Sequence, residues 1–431
     1  MPSSARHIVL TTIGSYGDLH PMIALGLELQ RRGHRATLAT TSMYEEKVRG
    51  TGLGYQRLRP DLATDDPELV RRLMDPLKGP EYLVRELFMP HVGEMYDDLA
   101  AVAADADFIV AGELVYVAPL VAEKFGRRWA QATLAPMSFF SVFDPSVLPP
   151  LPATRYLRGA PTWLHRALVG FGKWSVRDWG EPLAQLRRAL GLKEGANPLF
   201  DGRFSPWLNL ALFSRVLGQP QADWPEKVVQ AGFVYYDHDT HGSGMPAGLQ
   251  DFLDAGEAPI IFTLGSAAVR DAGSFFEDSV AAALTLKRRA LLLMGENVLK
   301  QALPPQMAAF NYAPYSEVLP RAACVVHQGG IGTTAHALRA GVPQLVVPFA
   351  FDQPDNAARV QRLGCGRMIL RRDYTAQRAA RLLAALLGSP APAQRAREIG
   401  RQLAAENGLG AACDAIEAAV AAAPAGAPRA A

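Results

Sequence analysis

Apolar runs that end at glycine loops and are followed by helix-type spacing recur along the chain. The first run covers residues 7–13 and ends in the loop 14–18, after which an apolar helix face continues to a stop at Gly33. A run this uniformly apolar is typical of a parallel strand buried on both faces. Residues 36–40 then predict a second strand. The segment therefore predicts a β-α-β unit of the Rossmann type.

The same alternation returns in the second half of the chain, which predicts two α/β domains. The predicted domains are an N-terminal domain, residues 1–235, with an inserted helical layer at about 140–200, a linker 236–250, a C-terminal domain 251–395, further helices 396–423 and a flexible tail 424–431. Two such domains leave a cleft at the carboxyl ends of their strands, which is the usual place for a ligand.

Composition narrows the class of protein. The chain has 431 residues, of which 49% are apolar and 20% charged, values ordinary for a globular enzyme. Its formal charge is only +2, which argues against nucleic-acid binding. Three widely spaced cysteines do not form a disulfide framework or a paired zinc motif. The apolar runs are too short for a membrane span or a signal peptide, so we expect a cytoplasmic protein.

The most informative motif is residues 327–334, His-Gln-Gly-Gly-Ile-Gly-Thr-Thr, between a predicted strand and a predicted helix. Glycines let a backbone approach a ligand closely, and the start of a helix offers N–H groups and a positive dipole end. This arrangement suits a diphosphate. The glycine spacing alone fits a tight strand-to-helix turn equally well.

The motif stands among others: Tyr-Ala-Pro at 312–314, Gly-Val-Pro at 341–343 and Pro-Phe-Ala-Phe-Asp-Gln-Pro at 348–354. Together they resemble the donor-binding signature of nucleotide-diphosphate-sugar-dependent glycosyltransferases, in particular the bacterial antibiotic, sterol and rhamnolipid enzymes. The resemblance implies an α/β fold of the GT-B type, two Rossmann-like domains facing each other across a cleft. It also implies an inverting, metal-independent transfer of a hexose from a UDP- or dTDP-sugar to a hydroxyl of an apolar small molecule or lipid.

The resemblance also implies a donor site. Tyr312 would lie against the nucleobase, the backbone of Ala313 would contact its edge, and His327 with the glycine-loop amides would hold the diphosphate. Asp352 and Gln353 would bind sugar hydroxyls. The implied donor-binding residues are Gly14, Ser266, Tyr312, Ala313, His327, Gly329, Gly330, Ile331, Gly332, Thr333, Asp352 and Gln353. A ribose-binding Glu of the plant enzymes is missing here, so the choice between uridine and thymidine stays open.

The resemblance aligns Asp18 with the catalytic base of the family. A carboxylate accepts a hydroxyl proton as the new C–O bond forms, which is concerted general base catalysis. His20, two residues further along, is a rival base. An alternative without chemistry is that Asp18 caps the following helix, a common role for Asp.

Acceptor residues are less sharply indicated. Glu113 follows a predicted strand and resembles an acidic residue near the base in plant enzymes, where a second carboxylate would raise the pKa of the base. Phe139, Phe140 and Phe143 could line an apolar pocket, or else pack the inserted helices together. The stretch 151–193 is aromatic and carries eight Lys or Arg against two acidic residues, which suggests peripheral membrane contact.

Asp237-His238-Asp239 resembles a metal-binding Asp-x-Asp motif, but its polar linker context favours a solvated turn. We therefore expect no metal and no resident cofactor, only a nucleotide sugar as co-substrate. Three alternatives stay open: a nucleotide-sugar epimerase on a related fold, a rhamnosyltransferase acting on a hydroxy-fatty-acid lipid, and a non-catalytic auxiliary protein.

Overall fold

The computed structural model describes residues 5–61, 66–149, 151–236 and 244–422. The Asp237-His238-Asp239 motif and the tail at 424–431 lie outside the described residues.

The N-terminal domain is built on a seven-stranded parallel sheet in the order β3-β2-β1-β4-β5-β6-β7. Every residue of β1 and β4 is buried, because helices cover both faces of the sheet. The strands are β1 His7–Thr11, β2 Arg35–Thr40, β3 Gly54–Arg57, β4 Phe108–Ala111, β5 Arg128–Thr133, β6 Leu208–Ala211 and β7 Val228–Gln230. The α-helices are α1 Tyr16–Arg31, α2 Glu45–Gly50, α3 Pro67–Leu73, α4 Gly79–Glu81, α5 Val92–Ala103, α6 Ala118–Lys124, α7 Thr162–Ser175 and α8 Glu181–Ala189.

The C-terminal domain repeats this plan with six parallel strands in the order β10-β9-β8-β11-β12-β13. Its strands are β8 Ile260–Thr263, β9 Ala290–Leu293, β10 Met307–Phe310, β11 Cys324–His327, β12 Gln344–Val346 and β13 Gly366–Met368. Its helices are α9 Leu249–Asp254, α10 Gly265–Ala268, α11 Phe275–Thr285, α12 Tyr315–Val318, α13 Ile331–Arg339, α14 Gln353–Arg362, α15 Ala376–Leu387, α16 Pro390–Ala404 and α17 Gly408–Ala421. The chain therefore folds into two Rossmann-like domains.

In both sheets the strand order reverses direction between the first and the fourth strand of the domain. In the first domain β1 pairs with both β2 and β4, and in the second β8 pairs with both β9 and β11. The loops that leave the carboxyl ends of such a strand pair diverge, and they leave a crevice for a ligand. The loops after β1, β4, β8 and β11 are therefore the natural places for the site.

The last helix crosses back to the first domain. Arg32 of the N-terminal domain pairs with Asp414 at 2.6 Å and Glu417 at 2.7 Å, and Ile416 of α17 belongs to the N-terminal core. The boundary expected at residue 396 falls inside α16, which packs on α13 of the C-terminal domain. Only α17 leaves that domain, so the two domains are tied together at the C-terminus as well as at the linker.

No helix among the described residues is long and apolar enough to cross a membrane.

Candidate active site

The loop after β1 holds the Asp18 carboxylate at the first turn of α1. Ser15 is the N-cap of this helix: its hydroxyl accepts from the Gly17 N–H at 3.2 Å, while its own N–H donates to Asp18 Oδ2 at 2.9 Å. This is a capping box. The helix begins at Tyr16, so the expectation that Asp18 lies in a loop was wrong, and the N-cap is Ser15 rather than Asp18. Gly14, with φ +142°, leaves space for the carboxylate, because a Cβ there would lie 2.3 Å from Asp18 Oδ2.

The environment of Asp18 disfavours its charge. Burial raises the pKa of the Asp18 carboxyl to about 6; hydrogen bonds from Ser15 oppose the shift, and repulsion from Glu113 adds to it. Among the described residues, hydrogen bonds reach only Oδ2. The second oxygen is therefore available to accept a proton.

His20 is directed elsewhere. Residues two apart on a helix point to nearly opposite sides, and the His20 ring stacks on Tyr16 at 4.9 Å and meets the edge of Tyr236 at 5.3 Å. The structure therefore groups Asp18, and not His20, with the other carboxylates of the interdomain site.

Glu113 lies in the loop after β4, on the other side of the sheet reversal from Asp18. Its carboxylate accepts from the Leu134 N–H at 2.8 Å and the Ser138 hydroxyl at 2.5 Å, and Arg203 lies 3.8 Å away. These partners fix Glu113 in place without a hydrogen bond to Asp18 among the described residues. Its effect on Asp18 is electrostatic, as the sequence predicted for two neighbouring carboxylates.

The glycine motif forms the turn from β11 into α13. Gly329 has φ +90°, and a Cβ there would lie 2.7 Å from Val346 Cγ1, so only glycine fits. Gly330 is the N-cap of α13, which has no side-chain cap, and the first intrahelical bond starts at the Thr334 N–H. The amides of Ile331, Gly332 and Thr333 are therefore left for an anion.

His327 does not have the role expected of it. Its ring is fully buried, Nε2–H donates to Gln344 Oε1 at 2.9 Å, and Nδ1 accepts from the Gly329 N–H at 3.1 Å. Burial lowers its pKa to about 4, against the opposing effect of the Gln344 bond, so the ring is neutral. With both nitrogens engaged, His327 does not donate to a phosphate in this structure. It holds the glycine loop instead.

The neighbouring glutamine is a residue that the sequence analysis missed. Gln328 is 6% exposed, its Nε2 lies 3.5 Å from Thr333 Oγ1, and its Oε1 is buried without a partner among the described residues. Gly265 has φ +63°, and a Cβ there would lie 2.3 Å from Gln328 Nε2. Gln328 thus fills the space between the start of α10, where Ser266 lies, and the start of α13.

The loop before α14 brings Asp352 to the same region. Asp352 Oδ2 accepts from Asn356 Nδ2 at 2.6 Å, and Asn356, also missed, donates to the Gly329 carbonyl at 2.9 Å. Burial raises the pKa of Asp352 to about 7, with the Asn356 bond opposing the shift and repulsion from Asp18 and Glu113 adding to it. Two carboxylates of the first domain, Asp18 and Glu113, therefore repel the Asp352 carboxylate of the second domain.

Gln353 differs from expectation in one respect. Its Oε1 accepts from the Phe349 N–H at 2.8 Å and the Ala350 N–H at 3.2 Å. The carbonyl holds the loop and is not open to a sugar hydroxyl, which leaves only the amide nitrogen for that role. Of the two residues expected at the nucleobase, the Tyr312 side chain is 42% exposed and Ala313 is buried.

The three phenylalanines do not form one pocket. Phe139 is buried against Trp224 at 4.4 Å and Phe213 at 6.0 Å, in a cluster that also contains residues of α13. Its expected place in the acceptor pocket was wrong, because it packs between the domains. Phe140 packs on Phe200 at 5.6 Å, whereas Phe143 is 49% exposed.

A buried ion pair joins the domains beside the site. Arg359 of α14 is 1% exposed; it bonds Asp355 at 2.7 Å and Asp144, which lies in the long connection between β5 and β6, at 2.5 Å. In the same place the Val147 N–H donates to Asp355 at 3.0 Å. The helix that begins next to Asp352 is therefore fastened to the N-terminal domain.

Other features do not compete with this site. Among the described residues no group of three or more His, Cys, Asp or Glu could hold a metal ion. Open cavities of about 610 and 440 Å³ lie around α16, and none of the predicted site residues lines them.

Two family models match separate parts of the chain. The N-terminal domain of glycosyltransferase family 28 matches residues 8–133, which include Asp18 and Glu113. The erythromycin biosynthesis protein CIII-like C-terminal domain matches residues 290–411, which include the glycine loop and Asp352.

Whole-chain comparisons agree with the family models. The O-mycaminosyltylonolide 6-deoxyallosyltransferase of Streptomyces fradiae is 34% identical over 429 residues, which cover 95% of this chain and 96% of that protein. The glycosyltransferase of kitacinnamycin has a similar structure, with a TM-score of 0.68 and 26% identity over 96% of this chain and 99% of that one. The spinosyn rhamnosyltransferase complexed with thymidine diphosphate, at 20% identity, a TM-score of 0.66 and coverage of 96% and 100%, shares the fold. The chain therefore belongs to the nucleotide-sugar-dependent glycosyltransferases of the GT-B fold and is an enzyme of the hexosyltransferase type.

Proposed function

We propose that the enzyme moves a hexose from a UDP- or dTDP-sugar to a hydroxyl of an apolar small molecule or lipid, with inversion and with Asp18 as general base. The observation that carries the proposal is the Asp18 carboxylate. It is half-buried, has a raised pKa, and has one oxygen with no hydrogen-bond partner among the described residues, at the point where the first sheet reverses its strand order. The uncapped start of α13 occupies the matching position in the second domain.

In the proposed reaction the acceptor oxygen attacks the anomeric carbon while its proton passes to Asp18 Oδ1. The bond from the anomeric carbon to the diphosphate oxygen breaks on the opposite side, so the configuration inverts. The departing diphosphate carries negative charge, which the amides of residues 331–333 and the positive end of α13 stabilise. We propose no metal in this step, because the fixed dipoles at the start of α13 can stabilise this charge without one.

The relatives favour one donor for the first trial. The Streptomyces relative is named for transfer of a 6-deoxyallosyl group, and the spinosyn rhamnosyltransferase was crystallised with thymidine diphosphate. We therefore propose a dTDP-6-deoxyhexose such as dTDP-rhamnose as the first donor to test, with UDP-glucose as the second.

The test is an incubation with dTDP-rhamnose or UDP-glucose and a panel of macrolide, sterol, flavonoid and hydroxy-fatty-acid alcohols, with glycosides detected by mass. Asp18→Asn should lose transfer by about two to four orders of magnitude while keeping its affinity for the nucleoside diphosphate. His20→Asn is the matched variant, and it should stay active. Conversion of the donor without any alcohol would indicate an epimerase. If Asp18→Asn is active and His20→Asn is not, Asp18 is not the base. Chelation by EDTA should leave the rate unchanged.

A further inference from the structure

Helix α7 turns its apolar face to solvent. Trp163, Ala167, Phe171 and Trp174 recur at intervals of three and four residues and therefore share one face. The exposed fractions of the three aromatic side chains are 68% for Trp163, 66% for Phe171 and 59% for Trp174. All of α7 is described, and within it only His165, on the opposite face, is buried. The aromatic rings of this helix do not pack into the protein core.

The segment before α7 carries further exposed apolar side chains. Tyr156 is 75% exposed, Leu151 56% and Phe143 49%. Apolar side chains scattered singly over a surface are ordinary, but a group of them on one helix and the adjoining segment marks an interaction site. We call α7 together with residues 143–149 and 151–157 the α7 surface.

The charged residues within this stretch of the sequence are all cations. Residues 145–177 contain no Asp or Glu, and their cations are Arg155, Arg158, Arg166, Lys173 and Arg177. Arg158, Lys173 and Arg177 pair with carboxylates outside this stretch, whereas Arg155 and Arg166 have no carboxylate partner among the described residues. The matching partner is therefore apolar at its centre and anionic around it.

We propose that the α7 surface docks the enzyme on an anionic lipid membrane. A helix with aromatic side chains on one face and cations at its border is suited to the boundary between headgroups and acyl chains. A second copy of the chain would fit less well, because a two-fold interface brings the same cations of both copies together. This docking does not depend on the identity of the sugar donor or of the acceptor.

The experiment is sedimentation of the full chain with vesicles of phosphatidylcholine containing one third phosphatidylglycerol, and with vesicles of phosphatidylcholine alone. Binding to the anionic vesicles only, with a blue shift of tryptophan fluorescence, is expected. Trp163→Ser, Phe171→Ser and Trp174→Ser combined should abolish binding. Arg155→Gln and Arg166→Gln should each weaken it roughly fivefold. Since all five side chains are accessible at the surface, the melting temperature should not fall.

Matched controls distinguish binding through the α7 surface from nonspecific binding of vesicles by exposed apolar or cationic side chains elsewhere on the protein. Val298 is 86% exposed on the other domain, and Arg367 is an exposed arginine there; Val298→Ser with Arg367→Gln should bind vesicles like the wild type. The proposal is overturned if the wild type does not bind the anionic vesicles, or if the aromatic triple variant still binds them. A concentration-dependent dimer that the triple variant loses, without lipid binding, would assign the surface to a second copy instead.

Discussion

Asp18 of the first domain and Asp352 of the second repel each other across the interdomain site, and this repulsion helps to raise the pKa of Asp352 to about 7. Burial is the larger cause for Asp352, as it is for Asp18, whose pKa is about 6. Because Asp18 has the lower pKa, it becomes charged first as the pH rises, and Asp352 then loses its proton near a charge that is already present. Four predictions of chemistry and stability depend on these two acids or on the glycine loop beside them.

The first prediction concerns the pH dependence of the rate. A general base must be unprotonated, so kcat/KM should fall about tenfold per pH unit below the acidic limb, which should lie near pH 6. Glu113→Gln removes a charge that repels Asp18, and the amide oxygen of the new side chain can still accept the hydrogen bond from the Leu134 N–H. The limb should therefore move to lower pH by roughly half a unit to one unit.

The control for this profile is Glu257→Gln, since Glu257 is 80% exposed on the surface of the other domain. Its limb should coincide with that of the wild type. A limb that stays in place in Glu113→Gln would mean that Asp18 and Glu113 do not interact, or that another group sets the profile.

The second prediction concerns stability. The pKa of Asp352 is raised on folding from 3.8 to about 7, so the folded state binds its proton more tightly than the unfolded state, and this group makes the protein less stable as pH rises between these values. Asp352→Asn removes the half-buried charge and keeps an acceptor for Asn356. The free energy of unfolding at pH 8 should rise by on the order of 2 kcal/mol.

Thermal melts at two pH values check this sign. The gain from Asp352→Asn should be present at pH 8 and should vanish near pH 3, where the carboxyl is protonated in both states. An equal gain at both pH values would trace the effect to packing or helix propensity, and not to the charge.

The fold could be predicted from the sequence because its strands are buried on both faces and are therefore continuous apolar runs. The runs predicted at residues 7–13 and 36–40 agree with β1 and β2 to within two residues at each end. The start of α1 was placed too late, although Ser15 and Asp18 have the spacing of a capping box. The site then lies at the carboxyl ends of the strands. Asp18 follows β1 and Glu113 follows β4, and these are the two neighbouring strands at which the strand order reverses.

The role of His327 could not be predicted in the same way. Its partner Gln344 lies 17 residues further along the chain, on the neighbouring strand, and no local pattern shows that a side chain there reaches the ring. The same holds for Asn356, which joins two loops, and for Arg359, whose partner Asp144 lies 215 residues away. Contacts between separate elements depend on the packed structure, and their residue types alone fit many roles.

The third prediction tests His327 as a positioning residue. His327→Ala and Gln344→Ala should each weaken nucleoside-diphosphate binding by about tenfold. The first variant removes the acceptor of the Gly329 N–H, and the second removes the group that holds the His327 ring in position. The double variant should be little worse than each single one, since both act through one contact. Calorimetric titration with dTDP and UDP measures all three. If His327 instead contacts the phosphate, His327→Ala should bind dTDP and UDP much more weakly than Gln344→Ala does. The losses of binding free energy in the two single variants should then add in the double variant.

The fourth prediction uses two glycines of the same loop as a matched pair. Gly329 has φ +90° and a Cβ position already filled by Val346, whereas nothing lies within 4 Å of a Cβ at Gly332. Gly329→Ala should therefore lower the free energy of unfolding by about 1–3 kcal/mol, and the melting temperature should fall with it. Gly332→Ala should fold like the wild type but lose donor affinity, because its methyl group enters the space beside the free amides of α13. If Gly332→Ala binds dTDP and UDP normally, the diphosphate does not dock at the start of α13, and the proposed stabilisation of the leaving group fails with it.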